Sequence, residues 1–387
     1  MKILVTCLPL LCLLFMARVA DAAIELHYPA SSPTASIGEP VAPVRQLTIE
    51  GALEPEIFAP ILEAFHRRHP DIDLTYRNLE TQEIYARYRE GPRQPTADLL
   101  MSSAMPWQYL LANNGHTESL EHAIDPQWPA WARWRNELVG LSFEPVAIVY
   151  RRELAERFAA PTSHAELVKL LTQHRAALDR RVVTYDPVRS DTGFTYAVED
   201  ARLSPEYWTL VSALGGVHPD LVDSTNAMLE GLAAGRYLVG YNLIGSYAFA
   251  AAASNPDLVV QIPTDYALVT QRLALIPRNA AHADAARQFL AFYTHAAGQR
   301  IVAERTPLGA LSPSITTRGS AEAFRAAYGD ALRPVQLSPG LLAQVDPLKH
   351  DSVIARWQRE FERAQPAPPA ALQNAPSAPQ SDRRETP

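Results

Sequence analysis

An α/β fold in two lobes, each a mostly parallel sheet flanked by helices, is what this chain predicts, and three observations predict it. Short apolar strand patterns alternate with helical ones from Gln46 to Arg305. The 387 residues suffice for two domains or lobes, at roughly 100–200 residues each. With 47% hydrophobic and 20% charged residues, the composition is that of a globular chain able to bury a core.

The elements follow in order. "QLTIEG", Gln46 to Gly51, is a strand ending in glycine, and Pro55 suits the first turn of the helix "PEIFAPILEAFHRRH". "IDLTYRNL" and "ADLLMSSA" are strands, after which Pro106 opens "PWQYLLANNG". "AIVYRREL" runs from strand into helix, and Ser163 with Glu166 forms a capping box ahead of "LVKLLTQHRAAL". "RVVTYD" is a strand, Ser204-Pro205 opens a helix ending at Gly215, and "RYLVGYN" is a strand leading into an alanine-rich helix after Gly245. "QRLALIP" is the last strand, and "ADAARQFLAFYTHAAGQRIVAER" reads as one long helix.

The flanks differ from this body. Lys2, the apolar run Ile3 to Met16 and Ala20-Asp21-Ala22 fit a cleaved secretory signal over 1–22. An uncleaved anchor would need roughly 18–20 apolar residues, more than this run supplies. Both cysteines, Cys7 and Cys12, lie in the signal, so the mature chain has no disulfide, thiol nucleophile or thiolate metal site. Residues 23–45 read as a flexible linker, and 365–387, with six prolines in 23 residues, as a disordered spacer. The full chain carries a formal −7; Lys2, Arg18 and Asp21 leave +1 on the signal, so the mature chain carries −8 and is ill suited to nucleic acid.

Ligands of open α/β sheets sit beyond the carboxyl ends of strands, where helix N-termini converge. Three such junctions are rich in small polar residues. "LLMSSAMPWQ" offers Ser102 and Ser103; "YDPVRSDTGFTY" offers Arg189, Ser190, Asp191, Thr192 and Gly193; "GYNLIGSYAFA" offers Asn242, Gly245, Ser246 and Tyr247. Unpaired amides and the positive end of the helix dipole favour an anionic oxygen there, and an arginine adds charge-assisted bonds. Plain helix capping explains any one junction as well; three in one chain favour a binding site.

The stretches "ADLLMSSAMPWQYLLANNG", "LSFEPVAIVYRREL", "YDPVRSDTGFTYAVEDA" and "GRYLVGYNLIGSYA", in this order, resemble the periplasmic solute-binding proteins of ABC importers. The branch is the ferric-iron type, with its hexose-phosphate binders and phosphoglycerate-transport regulatory protein, and the resemblance spans Gln46 to Arg333. It implies the two-lobed type II periplasmic binding fold, closing on ligand about a two-crossing hinge. With the crossings near "SFEPVAIVY" and "DYALVTQRLALIP", lobe 1 is 46–146 plus 262–364 and lobe 2 is 147–261. Ferric-binding members use an adjacent tyrosine pair where this chain has Tyr241 and Tyr247, six apart, so a small anion such as a sugar phosphate or organic carboxylate is expected over iron. Relatives often have glycine at the position of Asp191, and a carboxylate there would repel a bound phosphate.

The expectation is therefore a monomeric periplasmic binding protein without cofactor or bound metal, handing its ligand to a membrane ABC permease. A regulator signalling ligand occupancy to a membrane sensor kinase is the alternative, and a ferric-iron binder the second. No G-x-S-x-G, H-E-x-x-H or Walker motif is present, so no enzyme is expected. His66 and His69 read as a basic helix end, and Trp128, Trp131 and Trp134 as a partly buried helix face.

Overall fold

Burial alternates along the strand Ile72–Asn78 and is continuous along Leu99–Ser102, so the first lies toward a sheet's rim and the second at its centre. The computed structural model that gives this describes residues 24–31 and 45–365. The expected signal and nearly all of the expected spacer lie outside the described residues. Seven strands form the first sheet, in the order Glu25–Tyr28, Ile72–Asn78, Arg45–Gly51, Leu99–Ser102, Leu273–Leu275, Leu138–Gly140, Arg133–Trp134. Its centre is parallel, Ile49 lying opposite both Tyr76 and Leu99, and its flanks are antiparallel. Glu25–Tyr28, placed in the linker by the sequence, is an edge strand: Leu26 and Tyr28, two apart, turn to one face and pack on the first core.

The second sheet runs Leu332–Pro334, Ala267–Thr270, Glu144–Arg151, Val239–Ile244, Val182–Tyr185, Asp220–Val222, with Leu258–Gln261 also paired to Glu144–Arg151. Val182–Tyr185 pairs in parallel with both its neighbours, whereas Glu144–Arg151 enters from the other lobe and pairs antiparallel. Both sheets are thus mixed where mostly parallel ones were expected. The difference comes from the strands next to the crossings and, in the first sheet, also from the edge strand Glu25–Tyr28 and the pair Arg133–Trp134 and Leu138–Gly140.

Helices cover the sheets through apolar stripes. In Pro55–Arg68, Phe58, Ile61, Leu62 and Phe65 are buried at helical spacing and Pro55 sits in the first turn. The expected helix from Ala283 breaks into Ala283–Thr294 and Ala296–Arg305, because His295 is extended, with ψ 155°, and caps the second piece. Thr81–Tyr88, not foreseen, is short and held by few apolar contacts, only Ile84 and Tyr88 being buried, with Arg87 bonding buried Glu50 at 3.0 Å. The tryptophans do not form the expected helix face: Trp128 lies in a loop and Trp134 in the strand Arg133–Trp134, with Trp128 Nε1 donating to Gly140 O at 3.1 Å and Trp131 and Trp134 lying against Phe143 and Tyr109.

The sheets meet where the chain passes from Leu138–Gly140 to Glu144–Arg151 and from Ala267–Thr270 to Leu273–Leu275. The division of residues between lobes needs two corrections. Ala267–Thr270 and Leu332–Pro334, expected in lobe 1, lie in the second sheet. The helix Pro347–Arg363, also expected in lobe 1, packs on Tyr207–Gly215, because Trp357 is buried among Ala197, Tyr207 and Val211. Between these, Val335 and Leu341 pack with Met105 and Tyr109 of the first lobe, so the chain bridges the lobes again near its end.

Candidate functional site

Six helices begin around one cleft of about 470 Å³ between the lobes. The first lobe contributes the starts of Pro55–Arg68, Thr81–Tyr88 and Met105–Asn113, through Glu54, Glu80 to Gln82, and Ser103. The second contributes the starts of Asp191–Leu203, Thr225–Ala233 and Gly245–Ser254, through Arg189 to Thr192, Ser224 to Asn226, and Ile244 and Tyr247. Each start presents amides without an intrahelical partner and about half a positive charge. Against them stand four carboxylates, Glu54, Glu80, Asp191 and Asp223, and one guanidinium, Arg189. Six half charges offset the net −3 of these side chains, so the cleft is close to electrically balanced while being dense in both donors and acceptors.

Opposite helix starts are tied across the cleft by Asn226 Nδ2, which donates to Glu54 Oε1 at 2.5 Å. The other oxygen, Glu54 Oε2, is shielded from solvent close to the Tyr247 hydroxyl, and Asp191 Oδ2 on the facing lobe is shielded and has no hydrogen-bond partner. Tyr185 and Thr225 share a 2.6 Å bond between their hydroxyls, fixing one wall. Burial raises the Tyr247 phenol above its ordinary range; Arg272 opposes this and Glu54 adds to it, leaving a neutral hydrogen-bond donor.

The foreseen residues divide into two groups. Ser103, Arg189, Ser190, Asp191, Thr192 and Tyr247 line the cleft. The others are scaffold. Ser102 Oγ accepts from Ala104 N at 3.1 Å, and Ser246 Oγ donates to buried Glu144. Asn242, at φ 66° beside a register shift in its strand, donates from Nδ2 to buried Asp200 at 2.9 Å, where burial holds the Asp200 carboxyl above its usual range. Gly193 and Gly245 are needed for close approach: a Cβ would lie 2.6 Å from the Tyr185 side chain and 2.3 Å from Pro145 O respectively.

At the Asp191 helix start the geometry separates two foreseen roles. Arg189 is more than half exposed, and two of its donors are turned aside, to Asp186 Oδ2 and to Leu221 O, each at 2.7 Å. Arg189→Ala should accordingly leave ligand affinity within about threefold by calorimetry, since exposed pairs contribute little; a loss of a hundredfold would restore it to the site. Ser190 is at once cap and lining, its Oγ accepting from Gly193 N at 3.2 Å. Glu54, Glu80 and the run Asp223 to Asn226 were not foreseen, although Ser224 precedes a helix in the same manner and accepts from Ala227 N at 3.2 Å.

Two α/β lobes with helix starts converging on a polar cleft define a class: a binding protein that holds a small solute between its lobes. The model of the bacterial extracellular solute-binding protein family matches residues 61–326, and the chain belongs to that family. A substrate-binding protein of an ABC transporter from Agrobacterium tumefaciens is 33% identical, covering 88% of this chain and 98% of its own, with TM-score 0.79. Iron-bound HitA from Pseudomonas aeruginosa is 16% identical, over 82% and 99%, with TM-score 0.62. AfuA from Actinobacillus pleuropneumoniae, with fructose-6-phosphate bound, is 15% identical, over 82% and 98%, with TM-score 0.62. The last two share the two-lobed fold. No curated protein matches the chain.

Proposed function

We propose that this solute-binding protein captures a hydroxylated monoanion of the sugar-acid class and delivers it to the membrane permease of an ABC importer. One observation carries the ligand class: the carboxylates of Glu54 and Asp191, on opposite lobes, line the cleft among helix-start amides, so acceptors for hydroxyls stand beside donors for one carboxylate. Hydroxyls supply donors to the two carboxylates. A single carboxylate takes the amides at Asp191 and Thr192 or at Thr225 and Asn226, which have no intrahelical partner.

Magnitude decides against a phosphate dianion. Two unit charges about 4 Å apart repel by about 4 kcal/mol at an effective dielectric constant near 20. Asp191 and Asp223 flank the second-lobe helix starts, whose half charges the cleft carboxylates already offset, so a second charge on the ligand finds no further positive group. Ferric binding is disfavoured by the tyrosines. Tyr241 donates its hydroxyl to buried Asp200 at 2.8 Å, and Tyr247 is held neutral. Among the described residues, no group of three His, Cys, Asp or Glu side chains could hold a metal ion.

A thermal-shift and calorimetry panel of D-glucuronate, D-gluconate, glucose, glucose 6-phosphate, glucosamine and ferric citrate tests this. A sugar acid at about 100 times its Kd should stabilise the fold by about 2.7 kcal/mol. Asp191→Asn removes a charge-assisted hydrogen bond and a like-charge contact together, so it should change D-glucuronate affinity by less than about tenfold, while improving glucose 6-phosphate relative to it. A response to glucosamine or ferric citrate alone would sink the proposal.

A further inference from the structure

Past Asp191 the cleft adjoins a second cavity, of about 250 Å³, whose walls are mostly carbon. Trp107 of the first lobe and Phe194 of the second face it, and Val345, Pro347 and His350 cover it from the chain segment that bridges the lobes. Its aromatic walls are held in place. Tyr85 lies against Trp107 with ring centres 4.3 Å apart, and His350 against Phe194 at 4.4 Å. A dry cavity of about 150 Å³ is known to accept benzene, so this one has room for a single ring with a linking group. Asp191 lines both spaces.

We propose that the solute carries an aromatic or comparably sized apolar substituent on its hydroxylated head, and that Trp107, Phe194 and Val345 form the subsite that selects it. This rests on the head-group reading above but uses a different set of residues. A hydroxyl near the linkage donates to Asp191, while the substituent passes beyond it between the two lobes. The bridging segment that covers the ring is continuous with the second-lobe helix Pro347–Arg363, so ring binding and lobe closure involve the same residues.

Two measurements on the full chain test the subsite separately from the head group. Saturation-transfer NMR with benzyl alcohol should give transfer in the wild type that is lost in Phe194→Trp, which fills the cavity, and reduced in Trp107→Ala, which opens one wall. No transfer, or transfer undiminished in both variants, overturns the subsite; unchanged melting temperatures identify variants that are folded. Calorimetry should show phenyl β-D-glucuronide binding at least about tenfold tighter than D-glucuronate, as burial of a ring implies, with the gain abolished in the folded variants. Equal affinities, or a gain that the variants keep, also overturn it. If neither sugar acid binds while benzyl alcohol transfer behaves as expected, the head-group reading fails and the subsite stands.

Discussion

Replacing Arg272 with alanine should destabilise the fold by about 3–5 kcal/mol, the effect of breaking a buried ion pair by removing one partner. Arg272 is 1% exposed and Glu144 likewise, and they stand on the two crossings between the lobes. Arg272 Nε lies 3.2 Å from Glu144 Oε1, and one of its terminal nitrogens donates to Ala52 O on the first-lobe wall of the cleft. Its backbone amide donates to Ser142 Oγ at 2.9 Å, and that hydroxyl donates to Glu144 Oε1 at 2.6 Å. Ser246, at the start of a cleft helix, donates to the other Glu144 oxygen. Without Arg272 the buried Glu144 carboxylate would keep its two hydroxyl donors and lose the one cation that pairs with it among the described residues.

Urea or thermal unfolding of the apo protein measures this. At about 2–4 °C per kcal/mol for a chain of 150–250 residues, and less for a longer one, the melting temperature should fall by several degrees or more. Arg272→Lys should rescue little, because one ammonium cannot reach both Glu144 and Ala52 in the geometry of a planar guanidinium. The double variant Arg272→Met, Glu144→Leu should recover most of the loss, since replacing both charges by apolar groups is often close to neutral. A single-variant loss below 1 kcal/mol would mean that water reaches the hinge and that the pair does not hold the crossings together.

The same pair explains what the sequence could and could not reveal. Helix starts were legible because capping residues, prolines and glycines act within a few positions of themselves. Whether a small polar residue at such a start faces ligand or scaffold is decided by a partner far along the chain. Ser246 is taken by Glu144, 102 positions away, and Asn242 by Asp200, 42 away. Glu54 escaped notice for the converse reason. A lone glutamate before a proline signals only a helix start, and its value as an acceptor comes from Asn226, 172 positions on. The lobe assignment failed at the C-terminus on the same ground, since the stripe of Pro347–Arg363 demands a partner without naming one.

That last assignment gives a test in which the sign of the effect decides. Gly215 ends the helix Tyr207–Gly215 and does not have positive φ, so alanine there should on local grounds be neutral or stabilising by up to about 1 kcal/mol. In the packed structure a Cβ at Gly215 would lie 1.7 Å from Phe361 O and 2.7 Å from Phe361 C. Both are backbone atoms, so no rotamer change relieves the clash and one helix must move. Moving it withdraws Trp357, which is 5% exposed, and loss of a buried tryptophan's packing costs about 3–5 kcal/mol when it is complete. Gly215→Ala should therefore destabilise the protein, with hydrogen exchange rising along Pro347–Arg363 before the rest of the second lobe. Because Pro347 and His350 of that helix cover the side cavity, benzyl alcohol transfer should weaken in the same variant while affinity for D-glucuronate changes less. An unchanged or raised melting temperature would place the helix away from Gly215 and remove the cover from the subsite.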